Sequence, residues 1–267
     1  MDPTTVLMQA RSSFAEIGAR AADLVQALPD LNVPMPGSEW NVRETAVHLV
    51  AYAGFCCDVA TGMPSPLESF AREVEARDNA QRIADIPEAD PEKVAGLITD
   101  GVERLLGVTA GRPGDQPVTY HGGFQIDLAT LASFYLGEVV LHGYDMAAAV
   151  GVPWPIDPVH AHLVLQGYAP CFGQVVNQER ARGLTAGFGI ELRDGASLIV
   201  RFVDGELRLE APNSGAVDCT ISADSVAFLM FVAGRLSQWE AIALGLMSMG
   251  GDRPDLALGF RDLFIVP

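Results

Sequence analysis

Residues 128–151, LATLASFYLGEVVLHGYDMAAAVG, decide how the rest of this chain is read. The stretch is apolar almost throughout, and its only acidic or basic side chains are Glu138, His142 and Asp145. Steps of four and three put all three on one helical face, and Leu131, Tyr135 and Ala149 continue the stripe. The ionisable groups therefore point toward neighbouring helices. A buried carboxylate and imidazole are costly unless paired or ligated, so this face needs a partner. The run is long enough to cross a bilayer, but three ionisable groups on one face suit a bundle interior better than lipid.

Helical signals continue toward the N-terminus. Asp2 can cap a helix with Pro3 in its first turn, and Phe14, Ile17, Ala21, Leu24 and Leu28 recur at three and four until Pro29. After the turn-rich LNVPMPGSEW, Asn41 with Glu44 three residues on forms a capping-box variant that opens a second helix, expected to run to about residue 62. A polar helix is expected over roughly 66–84 and another over 91–106, followed by the Gly/Pro-rich loop GVTAGRPGDQPVTYHGG. Beyond PWPIDP a further helix is expected over 159–178. This half reads as an all-α bundle of four main helices with extras.

The pattern changes after about residue 182. GFGIELRDG, ASLIVRFVDG and ELRLEAPNSG alternate and end in Asp-Gly or Asn-Ser-Gly, the mark of hairpin strands, and VDCTIS adds a fourth. A helix over 224–233, a capping box at Ser237 and Glu240, a final strand in LMSMGGD and a closing helix near Pro254 complete a small α+β domain. The expected domains are 1–182 and 183–267.

With 34 acidic against 17 basic residues the formal charge is −17, and the resulting field disfavours nonspecific binding to nucleic acid or anionic membrane. The N-terminal MDPTTVLMQA lacks a basic and apolar leader pattern, so a cytoplasmic location is expected. Cys56, Cys57, Cys171 and Cys219 have neither disulfide nor C-x-x-C metal spacing and read as buried free thiols. Nucleophile-elbow, P-loop and complete G-x-G-x-x-G motifs are missing.

Glu138 and His142 could supply two metal ligands from one helix. Among the five histidines, His48 is the best third ligand, placed on the second helix near Glu44 and Tyr52. A carboxylate and two imidazoles suit zinc or another divalent first-row metal with a position left open. Asp145 could orient a ligand from behind. A Glu-x-x-x-His pair is also a common side-chain hydrogen bond, and spacing alone leaves both readings open. His121, in its Gly-flanked loop, reads first as a surface histidine. His160 and His162 cannot share a helical face and are not expected to be ligands.

Trp40-Asn41-Val42-Arg43-Glu44-Thr45-Ala46-Val47-His48-Leu49 resembles the W-(S/T)-V-x-(D/E)-x-x-x-H-L segment of the DinB-like four-helix metalloproteins. Glu138-Val139-Val140-Leu141-His142-Gly143-Tyr144-Asp145-Met146-Ala147 resembles the E-x-x-x-H-G-x-D-L-A segment of one branch, the mycothiol-dependent maleylpyruvate isomerase family. Thr220-Ile221-Ser222, Ala233-Gly234-Arg235 and Met249-Gly250-Gly251-Asp252 resemble the sterol-carrier-protein-like domain appended in that family. The resemblance implies a DinB-like helical bundle followed by a sterol-carrier-like α+β domain, with His48, Glu138 and His142 as metal ligands. It further implies mycothiol as the thiol cofactor, a small electrophilic substrate, and a C-terminal arginine acting on that substrate, for which Arg235 is the candidate. Read without the family, Arg235 near a helix C-terminus is a favourable dipole partner.

The implied chemistry is cis–trans isomerisation of a maleylpyruvate-like compound, or transfer of the thiol to an electrophile. Two non-enzymatic readings stand beside it. One is a carrier of lipid or another hydrophobe. The other is a stress-response protein with a metal or a simple hydrogen bond at Glu138 and His142.

Overall fold

Capping side chains set the starts of the main helices. The computed structural model describes residues 2–195 and 197–265, which divide into two units, Met1–Ile156 and Asp157–Pro267. In the first, α1 (Pro3–Gln26) begins where Asp2 accepts the backbone N–H of Thr4 at 3.0 Å. Helix α2 (Val42–Ala60) begins at a reciprocal box: Asn41 Oδ1 accepts from Glu44 N and Glu44 Oε2 accepts from Asn41 N, both at 2.9 Å. Helix α3 (Arg72–Ala84) has no side-chain cap, and α4 (Pro91–Thr109) is capped by Asp90. Helix α5 (Leu128–Val150) starts at Asp127, which accepts from Thr130 N at 2.7 Å, and stops at left-handed Gly151.

Helices α1 and α2 each pack against both α4 and α5, so these four form the bundle, and α3 lies against α2. Its centre is filled by Phe14, Leu49, Ile98, Leu128 and Tyr135, with the rings of Phe14 and Tyr135 edge to face at 5.4 Å. Two departures from the sequence reading concern connections. The polar helix starts at Arg72 rather than near Pro66. The long loop contains a small antiparallel ribbon, β1 (Pro117–Thr119) and β2 (Gln125–Asp127), joined by a 3-10 turn at His121–Gly123.

The second unit opens with α6 (Pro158–Tyr168), a 3-10 segment (Ala169–Val175) and the short α7 (Gln178–Ala181), where one continuous helix was expected. Pro170 lies inside the expected run and cannot donate its turn's hydrogen bond. Helix α6 packs on α8 (Ser225–Val232), so by packing residues 157–182 group with the second unit, although the sequence boundary was drawn at 182/183. Strands β3 (Ala186–Leu192), β4 (Ser197–Val203), β5 (Glu206–Glu210), β6 (Cys219–Ala223) and β7 (Met247–Gly250) form one sheet in the order β5-β4-β3-β6-β7. Among the described residues only the β3–β6 pairing is parallel. Ala196, the first residue of the second alternating run, lies outside the described residues.

The two-residue β4–β5 turn uses Asp204 and Gly205 at φ 52° and 89°, the positive values that a tight hairpin requires. Helices α9 (Gln238–Ala243) and α10 (Pro254–Leu258) complete the unit. Ser237 and Glu240 form the expected capping box of α9. Phe188, Phe202, Phe228, Phe260 and Phe264 fill the interior, with successive ring centroids 5.3 to 6.3 Å apart. The chain thus combines a helical N-terminal region with a C-terminal α+β domain.

Candidate metal centre

The capping box that starts α2 puts His48 two turns into that helix, and α5 supplies Glu138 and His142 one turn apart. Their polar atoms converge. His48 Nε2 lies 3.0 Å and His142 Nε2 3.2 Å from the same oxygen, Oε2 of Glu138. The two imidazole rings are 5.1 Å apart and nearly perpendicular. All three potential ligand atoms fall within 4.8 Å of one another, the single such group of three among the described residues. His48 is almost fully buried, whereas the side chains of Glu138 and His142 keep about a fifth of their surface open.

The three groups are electrostatically coupled. Burial pushes the Glu138 carboxyl up, but hydrogen bonds and charge from His142 and His48 outweigh it and hold the group well below the usual carboxylate range. Burial also opposes charge on His142, yet Asp145 and Glu138 together raise it to about 9. Burial wins at His48, which is shifted down despite Glu138. Two imidazoles and a carboxylate aimed at one point, with solvent access on one side, fit a divalent cation with a free position. Asp145 Oδ2 stands 3.4 Å from His142 Nδ1, behind the ring, where an orienting carboxylate belongs.

Aromatic groups wall the site. Trp40 lies 5.0 Å from the His48 ring and 6.1 Å from that of His142, and Tyr52 is 5.9 Å from His48. Tyr52 and Tyr120 share a hydroxyl–hydroxyl hydrogen bond of 2.8 Å. Trp40 and Tyr120 carried no functional signal in the sequence beyond the tryptophan's place in the motif.

His121 departs from its expected surface position. It is buried rather than on the surface, 3.8 Å from the Tyr120 ring and 2.7 Å from Ser65 Oγ through Nδ1. His162 pairs with Asp194 at 3.1 Å and His160 is buried within α6, so neither joins the cluster. The four cysteines are free and buried, and burial raises Cys56 and Cys57 away from the thiolate form. In the second unit Arg235 follows α8, and its Nη1 donates to the carbonyl of Ala233 at 2.7 Å.

The fold and the site define a helical bundle that presents two histidines and a carboxylate, joined to an α+β domain. Residues 14–147, half of the chain, match the mycothiol maleylpyruvate isomerase N-terminal domain model, and the chain belongs to that family. Residues 173–264 match the SCP-2 sterol transfer family. Among solved structures, a mycothiol-dependent maleylpyruvate isomerase is similar at 17% identity and TM-score 0.56, over 89% of this chain and 91% of that one. A histidine-to-alanine mutant described by the same name is similar at 15% identity and TM-score 0.58, over 94% and 93%. These likenesses concern the fold. A comparison with curated proteins found no match.

Proposed function

We propose that this chain is a thiol-dependent metalloenzyme in which His48, Glu138 and His142 hold a divalent cation, zinc by donor type. The observation that carries this reading is the convergence of three ligand atoms from two helices on one partly open point. A cation bound there acts as a Lewis acid and lowers the pKa of an entering thiol.

The protein's own groups do the remaining work. Asp145 fixes the orientation of His142. Glu138 supplies the negative charge that offsets the cation. Trp40 and Tyr52 bound the space through which a thiol and its electrophile approach. Because Cys56 and Cys57 are buried and held as neutral thiols, the nucleophile is supplied from outside, and mycothiol is the low-molecular-weight thiol the family relationship favours.

The reaction is addition of the thiol to an activated double bond, rotation and elimination in a maleylpyruvate-like substrate. Transfer of the thiol to another small electrophile is the alternative at the same site. Arg235 is the proposed substrate-binding arginine, by family resemblance, and a reducing cytoplasm is the proposed location.

Mycothiol, bacillithiol and glutathione binding to zinc-loaded and chelated protein tests the reading, followed by assay of maleylpyruvate isomerisation. Metal-dependent preference for mycothiol supports it, and equal binding without metal contradicts it. The sterol-transfer match favours a second reading, a carrier of apolar ligands. The phenylalanine-filled interior of the second unit weighs against it, because a ligand there would have to displace packed rings.

A further inference from the structure

Tyr52 follows His48 by one turn of α2, so the two side chains share a face of that helix. Its ring lies 5.9 Å from the His48 imidazole and 5.5 Å from the Phe55 ring. Tyr120, at the end of β1 where the ribbon turns, comes to it from 68 positions away in the chain, and β1 packs on α2. The two hydroxyl oxygens stand 2.8 Å apart.

Each phenol carries a hydroxyl proton and is un-ionised at neutral pH, and the bond between the pair uses only one of the two protons. No other hydrogen bond to either hydroxyl forms among the described residues. Tyr120 is buried among rings, with His121 stacked at 3.8 Å, Phe134 at 5.2 Å, and Phe55 and Phe70 at 5.8 Å. The Nδ1 of His121 is already taken by Ser65 Oγ. The acceptor left to Tyr120 is therefore the Tyr52 oxygen, and half-buried Tyr52 keeps its own proton for a second acceptor. A hydroxyl that accepts one hydrogen bond donates a stronger one, and a donor in aromatic surroundings is costly until an acceptor reaches it. The pair is thus a prepared donor, set against the ring of a candidate metal ligand.

Resting on the thiol reading above, we propose that Tyr52 is a catalytic hydrogen-bond donor to the carbonyl oxygen of an α,β-unsaturated carbonyl substrate, and that Tyr120 is the positioning residue that holds and polarises its hydroxyl. When the thiolate sulfur bonds to the alkene carbon, the π pair moves through the conjugated chain onto the carbonyl oxygen and gives an enolate. The carbon–carbon bond that was double is then single and rotates. The enolate pair returns, the C–S bond breaks with its electrons on sulfur, and the trans alkene leaves. Neither tyrosine gives up its proton, and no oxidant or reductant takes part. The Tyr52 donor binds the enolate oxygen more strongly than the neutral carbonyl, and that difference lowers the barrier. An electrophile with no carbonyl to take up charge gains nothing from it, so the pair selects a conjugated carbonyl compound over a simple alkylating agent.

The test uses zinc-loaded wild type, Tyr52→Phe, Tyr120→Phe and the double variant, each change deleting only a hydroxyl. Maleylpyruvate is first bound without thiol, so that no reaction occurs, and its absorption band is recorded. Donation to the carbonyl polarises the conjugated system, so the band is expected to move to longer wavelength on wild type, to stay unmoved on Tyr52→Phe and to move partway on Tyr120→Phe. With mycothiol added, kcat is expected to fall about a hundredfold in Tyr52→Phe with KM changed far less. A fall of about tenfold is expected in Tyr120→Phe. The double variant is expected to be no slower than Tyr52→Phe, because Tyr120 acts only through Tyr52. A band that does not move on wild type, or moves equally on Tyr52→Phe at wild-type zinc content and mycothiol affinity, overturns the role of Tyr52 and leaves the thiol reading standing. Loss of zinc or of mycothiol binding along with the hydroxyl makes the pair a structural contact and overturns the role as well. Failure of mycothiol to bind the zinc-loaded wild type overturns the thiol reading and the proposal built on it.

Discussion

His48 Nε2 lies 3.0 Å from Glu138 Oε2, joining helices whose contributing residues are 90 positions apart in the chain. In the proposed metal site the same two side chains would be ligands to one cation. A ligand that binds only the folded state stabilises it by mass action, about 3 kcal/mol at a hundredfold excess over Kd. Zinc is therefore expected to raise the Tm of the metal-free wild type in a concentration-dependent way. In Glu138→Gln the shift is expected to collapse, because a neutral amide is a poor ligand. Equal shifts in the two proteins, measured by thermal denaturation, would contradict the role of Glu138.

Asn41 sets where α2 begins and hence the turn on which His48 sits. Asn41→Ala removes the acceptor for Glu44 N and leaves that donor without its cap. The expected cost is about 1 kcal/mol in urea denaturation. Weakened zinc affinity should accompany it, since the first turns of α2 fray toward His48.

Gly143 follows His142 directly and lies flat against Trp154. A Cβ there would meet Trp154 Cζ2 at 2.1 Å, and the Arg20 guanidinium, 4.0 Å from the ring centre, packs against the same indole. Gly143→Ala is expected to destabilise the protein by about 1–3 kcal/mol, the range for overpacking a filled site. Unchanged stability would mean that the indole moves aside at little cost.

His121 makes stability pH-dependent. Burial depresses it to about 4 in the folded state, with Asp78 and Arg82 acting in opposite senses. The unfolded histidine titrates near 6.5 and so binds its proton first as pH falls. Stability is therefore lost from about pH 6.5 down to about pH 4, then levels off, for a total of about 3 kcal/mol from this residue. His121→Gln should flatten that part of the urea-denaturation pH profile relative to wild type. Superimposable slopes would remove His121 as the cause.

The elements that were legible are those in which local chemistry and tertiary packing agree. An apolar helix carrying ionisable groups on one face announced α5 and two members of the cluster. The box at Asn41 and Glu44 gave the start of α2, and so the turn of His48. What stayed hidden depends on contacts distant in sequence. His121 reads as exposed because glycines flank it, but Gly122 N donates to Leu67 O at 2.9 Å and Ser65 N to Thr119 O, which folds the turn under the segment before α3. Arg82 belongs to a helix whose composition is that of a solvated surface, and only the packing of α3 on α2 brings its guanidinium over the Phe55 ring. Helix α6 has buried positions that its own pattern does not assign to a partner, and its place beside α8 comes from tertiary packing.

The most direct measurement is metal content, by elemental analysis, of purified wild type and His48→Ala prepared alike. About one divalent ion per chain is expected in the wild type. Little or none is expected in the variant, because two ligands from a single helical turn do not complete the site. Full metal retention in His48→Ala, or a wild type that takes up no metal when zinc is supplied, would contradict it.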